Sequence, residues 1–258
     1  MEVSKLGFDF QIRALSGLAR TLWLTGNYAR AVAIAEETIA KARDSGNAAI
    51  HCIALIWAGS IHVWARSVDR LHEITETLEQ VATRHSLLPY LNVAHITRGQ
   101  LLIARGRPAE GVERIRTALE TLHACKYEMV TTVSLGIMAR GLSDMSLHAA
   151  ALGTCDEVEN LTRMGGDFLR LPELLATRGY CLAAAGQADL SERSYLAAIE
   201  LARSQGVKSG QLRAAVSLAQ EWIRVGRKED AGRLLTPLVA AAGGEISLDV
   251  TLALELLG

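Results

Sequence analysis

The sequence predicts an all-α protein, a right-handed α-solenoid of about six two-helix repeats of forty residues, closed by a C-terminal capping helix. Three observations carry that expectation. Half of the 258 residues are apolar, only four are Pro, and strict alternation of β-branched residues is scarce, which favours helices over strands. Helix breakers return at a fixed step of forty: Gly26, Arg66, Gly106, Ser146, Gly186 and Gly226 form one series, and Gly46, Ser86, Lys126, Gly166 and Gly206 a second. Seven residues before the first series stand Ala19, Gly59, Gly99, Ala139, Gly179 and Ala219, all with the smallest side chains available.

In order, the hairpins are expected over 7–46, 47–86, 87–126, 127–166, 167–206 and 207–246, with the cap at 247–258. Each is read as a helix A, a turn, a helix B and a second turn. In the first hairpin, Gly26-Asn27-Tyr28 makes the corner between two alanine-rich runs. Glycine there accepts the left-handed backbone that closes a helix and satisfies its last carbonyls. In the third, Pro108 suits the first turn of helix B, where a missing N–H costs nothing. The fourth is the weakest, because "GLSDMSLHAAALGTCDEVENLTRMGG" departs from the turn pattern. The tail "EISLDVTLALELLG" supplies the cap.

Packing follows from two further columns. Four residues before each first turn are Leu22, His62, Leu102, Leu142, Leu182 and Trp222, nearly all large and apolar. Five residues after it, on helix B, are Ala31, Leu71, Gly111, Ala151, Ser191 and Ala231, mostly small. Large against small at fixed offsets is interlocked helix packing. One hairpin buries too little apolar surface to stand alone, so the hairpins are expected to stack into a single array over 1–258.

Bulk properties narrow the function. Net charge is −1, with no block of five like charges, and the richest basic stretch, 203–233, holds seven Lys/Arg against three Asp/Glu. Neither a direct nucleic-acid partner nor an anionic membrane is expected from that balance. Cys52, Cys125, Cys155 and Cys181 show no CxxC or pairing spacing and read as reduced thiols. The N-terminus lacks the pattern of a signal peptide, and the apolar run from Ile50 to Ala65 is too short to span a bilayer. A cytoplasmic location is expected.

Gly-Asn-Tyr-x-x-Ala, with a small residue seven positions before the Gly, resembles the tetratricopeptide pattern. The forty-residue length is similar to the longer repeats of bacterial signalling ATPases. Words such as "FDFQIRALSGLARTLWLTG", "LPELLATRGYCLAAAGQ" and "ERSYLAAIELARSQGVKSGQLRAAVSLAQEWIRVGRKEDAGRLLTPL" resemble the C-terminal helical region of winged-helix transcriptional regulators and adenylate-cyclase-linked proteins. The likeness covers nearly the whole chain and is strongest from Pro172 to Leu238. It implies a regulatory module that follows an ATPase. No GxxxxGK[ST] phosphate loop occurs, so the chain is expected to be the helical end of such a protein or a stand-alone relative.

Catalytic and metal motifs are weak. His51 and His62 lie eleven apart, but neither has a ligand-type partner three or four residues away on its own face. His123 with Cys125, and the acids Asp156, Glu157 and Glu159, form no recognisable nucleophile–base or acid–base pair. No cofactor and no catalysis are expected. The tryptophans Trp23, Trp57, Trp64 and Trp222 all fall on A helices. Trp23 and Trp222 flank the packing column and are assigned to the core, whereas Trp57 and Trp64 are assigned to a groove. The position six before each first turn carries Arg20, Ser60, Gln100, Arg140, Tyr180 and Gln220, none of them aliphatic.

Two readings of that column stand. It simply faces water, or it lines a polar concave groove with aromatic shoulders, in which Arg20, Arg140 and the neighbouring Arg13 and Arg213 hold a peptide or acidic segment. The functional expectation is a protein–protein interaction module of a signalling ATPase or transcriptional regulator, its partner a protein, a peptide or its own parent ATPase domain. A small-molecule or peptide inducer in the same groove is the alternative. A homodimer through the first helix is a further expectation, because that helix lacks an upstream neighbour.

Overall fold

The computed structural model describes residues 10–165 and 168–258, so residues 7–9 of the first expected hairpin and Gly166 of the second turn series lie outside the described residues. These residues are all-helical, with fourteen α-helices, one short 3-10 helix at Phe168–Arg170 and no strand among them. No helix of the described residues is long and apolar enough to cross a membrane. The chain divides into two compact units, residues 10–23 with 27–130 and residues 24–26 with 131–258.

In the first unit α1 (Phe10–Leu24, but for its last residue) and α2 (Tyr28–Asp44) make one hairpin. Next come α3 (Ala48–Trp57), α4 (Ser60–Trp64) and α5 (Val68–Arg84), then α6 (Leu88–Ala104) and α7 (Pro108–Ala124). Ile12, Ala42, Ile50 and Ala54 form a buried cluster that ties α1, α2 and α3 together. In the second unit the hairpins are α8 (Thr131–Asp144) with α9 (His148–Gly165), α10 (Leu171–Ala184) with α11 (Ala188–Ser204), and α12 (Lys208–Arg224) with α13 (Lys228–Ala241). The capping helix α14 (Leu248–Leu257) packs on α12 and α13, its start held by the Ser247 hydroxyl, which accepts from the Val250 N–H.

Among the described residues, both turn series adopt left-handed backbone whether or not the residue is glycine. Arg66, Ser86, Lys126 and Ser146 have φ of 53°, 54°, 56° and 61°, beside 76° at Gly106 and 74° at Gly186. The residue after each first-series turn donates its N–H to the carbonyl five positions back. Asn27 reaches Leu22 at 2.8 Å, Arg107 reaches Leu102 at 2.9 Å and Arg227 reaches Trp222 at 2.8 Å. This 6→1 bond satisfies a carbonyl that the helix end would otherwise orphan. Leu147 makes the same bond to Leu142 at 2.9 Å, so the fourth hairpin keeps the turn that its sequence obscures.

The column of small residues is where helices touch backbone to backbone. Ala19, Ala139 and Ala219 have no exposed surface. A Cβ added at Gly99 would lie 2.8 Å from the Gly111 carbonyl oxygen and 2.6 Å from Ile115 Cγ1. One added at Gly111 would lie 2.5 Å from the Gly99 carbonyl oxygen. At Gly179 the obstruction is the ring of buried Tyr195, 2.9 Å away.

One element differs from expectation. Helix A of the second hairpin is interrupted between Trp57 and Ser60. A Cβ at Gly59 would stand 2.0 Å from the Leu55 carbonyl oxygen, so the compressed backbone there accepts only glycine. The Ser60 hydroxyl donates to the Trp57 carbonyl at 2.7 Å, taking up an acceptor freed at the break.

Ion pairs cross from hairpin to hairpin within each unit. Arg70 of α5 donates twice to Glu36 of α2, at 2.7 and 2.6 Å, and Arg98 of α6 twice to Glu79 of α5, at 2.8 and 2.5 Å. Arg178 of α10 pairs with Asp156 of α9, Arg227 bonds Glu192 of α11 at 2.7 Å, and Arg213 of α12 bonds Asp249 of α14 at 3.0 Å. The exposed pairs among them add little to stability, so their main effect is on the register between hairpins.

His62 occupies the large-residue column and is buried, with Nε2 2.9 Å from Glu36 Oε1 and Nδ1 without a hydrogen-bond partner. Burial holds its pKa below the usual imidazole value, the Glu36 carboxylate opposing and Arg70 assisting. His51 and His95 are also lowered, burial again being the first cause. For a base lowered by folding, the unfolded chain binds more protons, so stability is present above pH 6.5, the unfolded value, and falls as pH drops toward the folded value.

Two outcomes are expected. Gly99→Ala lowers stability by about 1–3 kcal/mol through overpacking, whereas Gly153→Ala on α9, with open space around it, raises it by about 0.5–1 kcal/mol; urea denaturation of the two variants measures both signs. Thermal melts from pH 7 to pH 5.5 show a falling midpoint, and His62→Leu, which restores the column's apolar residue, makes the fall shallower.

Candidate binding surface

The column six residues before each turn splits between the two units. The first unit carries Arg20 on α1, Ser60 on α4 and Gln100 on α6, and the second carries Arg140 on α8, Tyr180 on α10 and Gln220 on α12.

In the first unit Arg20 meets two indoles. Its guanidinium carbon lies 5.0 Å from the centroid of the Trp57 ring and 5.2 Å from that of Trp64. Trp57 and Trp64 are seven residues apart, two helical turns, so both point to one side despite the break between them. All three side chains are half-buried. A guanidinium stacked on a ring is held in place by the ring face and keeps its charge. Arg13, also two turns from Arg20, is exposed on the same side of α1.

The second unit repeats the device in simpler form. The Arg140 guanidinium carbon lies 4.2 Å from the Tyr180 ring centroid. The Tyr180 hydroxyl donates to the Asp144 carboxylate, and burial together with that bond pushes its pKa up to about 12. The phenol therefore stays protonated and donating at neutral pH. Thus in both units an arginine at the same repeat position meets an aromatic group of the next hairpin; Tyr180 stands where the first unit has Ser60, between Trp57 and Trp64 in sequence, and Asp144 is an added anchor in the second.

Other expected members stand apart. Arg213 is engaged by Asp249 of the capping helix, Gln220 is exposed on α12, and Gln100 is half-buried on α6. Trp23 and Trp222 are in the core, 3% and 9% exposed, as their place beside the packing column implies. Trp23 packs edge-on to Tyr28, ring centroids 4.8 Å apart. Asp144 and Asp249 were not singled out from sequence; Asp144, four residues after Arg140, had only helical spacing to mark it.

The tetratricopeptide repeat profile matches residues 12–37 and 92–117. The two stretches lie two forty-residue periods apart and in phase. Among solved structures, the chain is similar to the apo form of RapI, with a TM-score of 0.63 and 10% identity over 99% of this chain and 84% of that one. It is similar to NprR in complex with its cognate peptide NprX, at 0.63 and 15%, over 98% and 73% of the two chains. It also resembles a Rap protein complexed with Competence and Sporulation Factor, at 0.52 and 12%, over 90% and 76%. At such identities the likeness is one of fold. No curated protein matches the chain by sequence.

Removing the guanidinium exposes the indoles. Arg20→Ala is expected to red-shift tryptophan emission and increase acrylamide quenching, at a stability cost of about 0.5–1 kcal/mol. In a Trp57→Phe, Trp64→Phe background, Arg20→Ala leaves the emission unchanged.

Proposed function

We propose that this chain is a non-catalytic receptor module that binds a peptide or an extended protein segment through its arginine–aromatic column. The observation that carries the reading is the stacking of Arg20 on Trp57 and Trp64, repeated by Arg140 on Tyr180. Ring-held guanidiniums flanked by Ser60, Gln100 and Gln220 suit a ligand with backbone carbonyls and carboxylates, at little cost in side-chain ordering. The bound NprX in a structure of the same fold supports a peptide over a globular partner. The module is read as the regulatory part of a bacterial signalling ATPase or transcriptional regulator, following the sequence resemblance from Pro172 to Leu238.

The test is a titration of synthetic five- to nine-residue peptides, acidic, neutral and basic, followed by tryptophan emission. A binding peptide is expected to weaken at least about tenfold with Arg20→Glu plus Arg140→Glu, the loss of a charge-assisted contact. Binding unchanged in that variant contradicts the proposal. If a metabolite panel raises the melting temperature and no peptide does, a small-molecule inducer becomes the better reading.

A further inference from the structure

An open cleft of about 910 Å³ lies in the first unit between α5, α6 and α7. It is separate from the column described above. His95, Arg98, Leu102 and Arg105 recur along one stripe of α6, while Gln100, two residues from Arg98, is turned about 200° away around the helix. The floor is apolar, with Leu101, Leu102 and Ala118, and the walls carry cations in excess of carboxylates.

The carboxylates of the walls are already committed. Glu110 is held by Arg107 through bonds of 2.7 and 2.5 Å, and Glu113 by Arg116 at 2.5 Å. Arg98 is taken by Glu79. Arg105 and Arg114 form no ion pair among the described residues and face the cleft with His72 and His95. In a chain of net charge −1, this surplus is local.

The repeat itself does not demand these cations. Eighty residues on, the same helix positions form a smaller cleft of about 380 Å³ in the second unit, lined by Leu175, Arg178, Leu182, Leu190 and Arg193. There the Arg98–Glu79 pair has its counterpart in Arg178 and Glu159, 3.9 Å apart. Leu175, Ala185 and Ser194, however, stand where the first unit has His95, Arg105 and Arg114.

We propose that the α5–α6–α7 cleft is a second binding site, one that takes a short acidic peptide segment through Arg105 and Arg114, with an apolar side chain of that segment on the leucine floor. Charge complementarity selects the carboxylates, and the apolar floor beside unpaired guanidiniums selects a peptide over a bare anion.

The test uses a fluorescein-labelled Glu-Glu-Leu-Glu-Glu-Leu peptide and fluorescence anisotropy with the full chain. Binding that weakens with added salt, falls at least about tenfold in Arg105→Glu plus Arg114→Glu, and is unchanged in Arg203→Glu and in Arg20→Glu supports the proposal. Circular dichroism confirms that each variant is folded; Arg105, Arg114 and Arg203 are exposed, so their substitution leaves the core untouched. Equal binding of the all-glutamine analogue, full binding by the double variant, loss with Arg20→Glu, or displacement by inorganic phosphate at concentrations below the peptide's own Kd would each overturn it. Because the peptide column is tested with Arg20→Glu and Arg140→Glu, failure here leaves that reading standing.

Discussion

The structure depends on how closely paired helices approach at the small-residue column. Between Gly99 and Gly111 the two backbones leave no room for a methyl group on either side. Ile115, which lies against that crossing, is fully buried. Dispersion falls off steeply with separation, so a gap of less than an ångström at the crossing would forfeit much of the contact made around it. A chain with few aromatic residues has no large side chains with which to refill such a gap.

The turns serve the same constraint. A left-handed residue followed by a 6→1 hydrogen bond ends each A helix at a set distance from its small residue, which brings the small column of helix A opposite helix B. The cross-hairpin pairs Arg70–Glu36, Arg98–Glu79 and Arg227–Glu192 then fix how one hairpin sits on the next. Each is modest in energy, but a bidentate arginine tolerates little sliding. The same register places Arg20 over the indoles of the following hairpin and Arg140 over Tyr180. The arginine–aromatic column is therefore a by-product of the spacing that builds the core.

Much of this was legible in the amino-acid order. The forty-residue step located both turn series, and column membership alone marks Arg66, Ser86, Lys126 and Ser146 as left-handed, although their side chains argue against it. The buried Trp23 and Trp222 followed from helix position. The break at Gly59 was not legible, because the compression involves the helix's own backbone and leaves no mark in composition. Nor were Arg213 and Asp249, thirty-six residues apart, whose pairing requires knowing how the capping helix docks. Cys155 and Cys181 are scattered in sequence yet both are buried, and the Cys181 thiol donates to the Ala139 carbonyl of α8, 3.6 Å away, a partner forty-two residues back that no local pattern marks. The cationic cleft is of the same kind: three helices supply it, and no single stretch announces it.

Helix pairs made of small residues offer a direct check on the founding constraint, since two substitutions that wedge the same crossing cannot act independently. A double-mutant cycle on Gly99→Ala and Gly111→Ala, read by urea denaturation, measures this coupling. The close crossing predicts that the double variant departs from the sum of the single variants by about 1 kcal/mol or more, because the first wedge opens the space that the second requires. Additivity within about 0.3–0.5 kcal/mol would show that the two glycines do not share one contact, and would contradict the account.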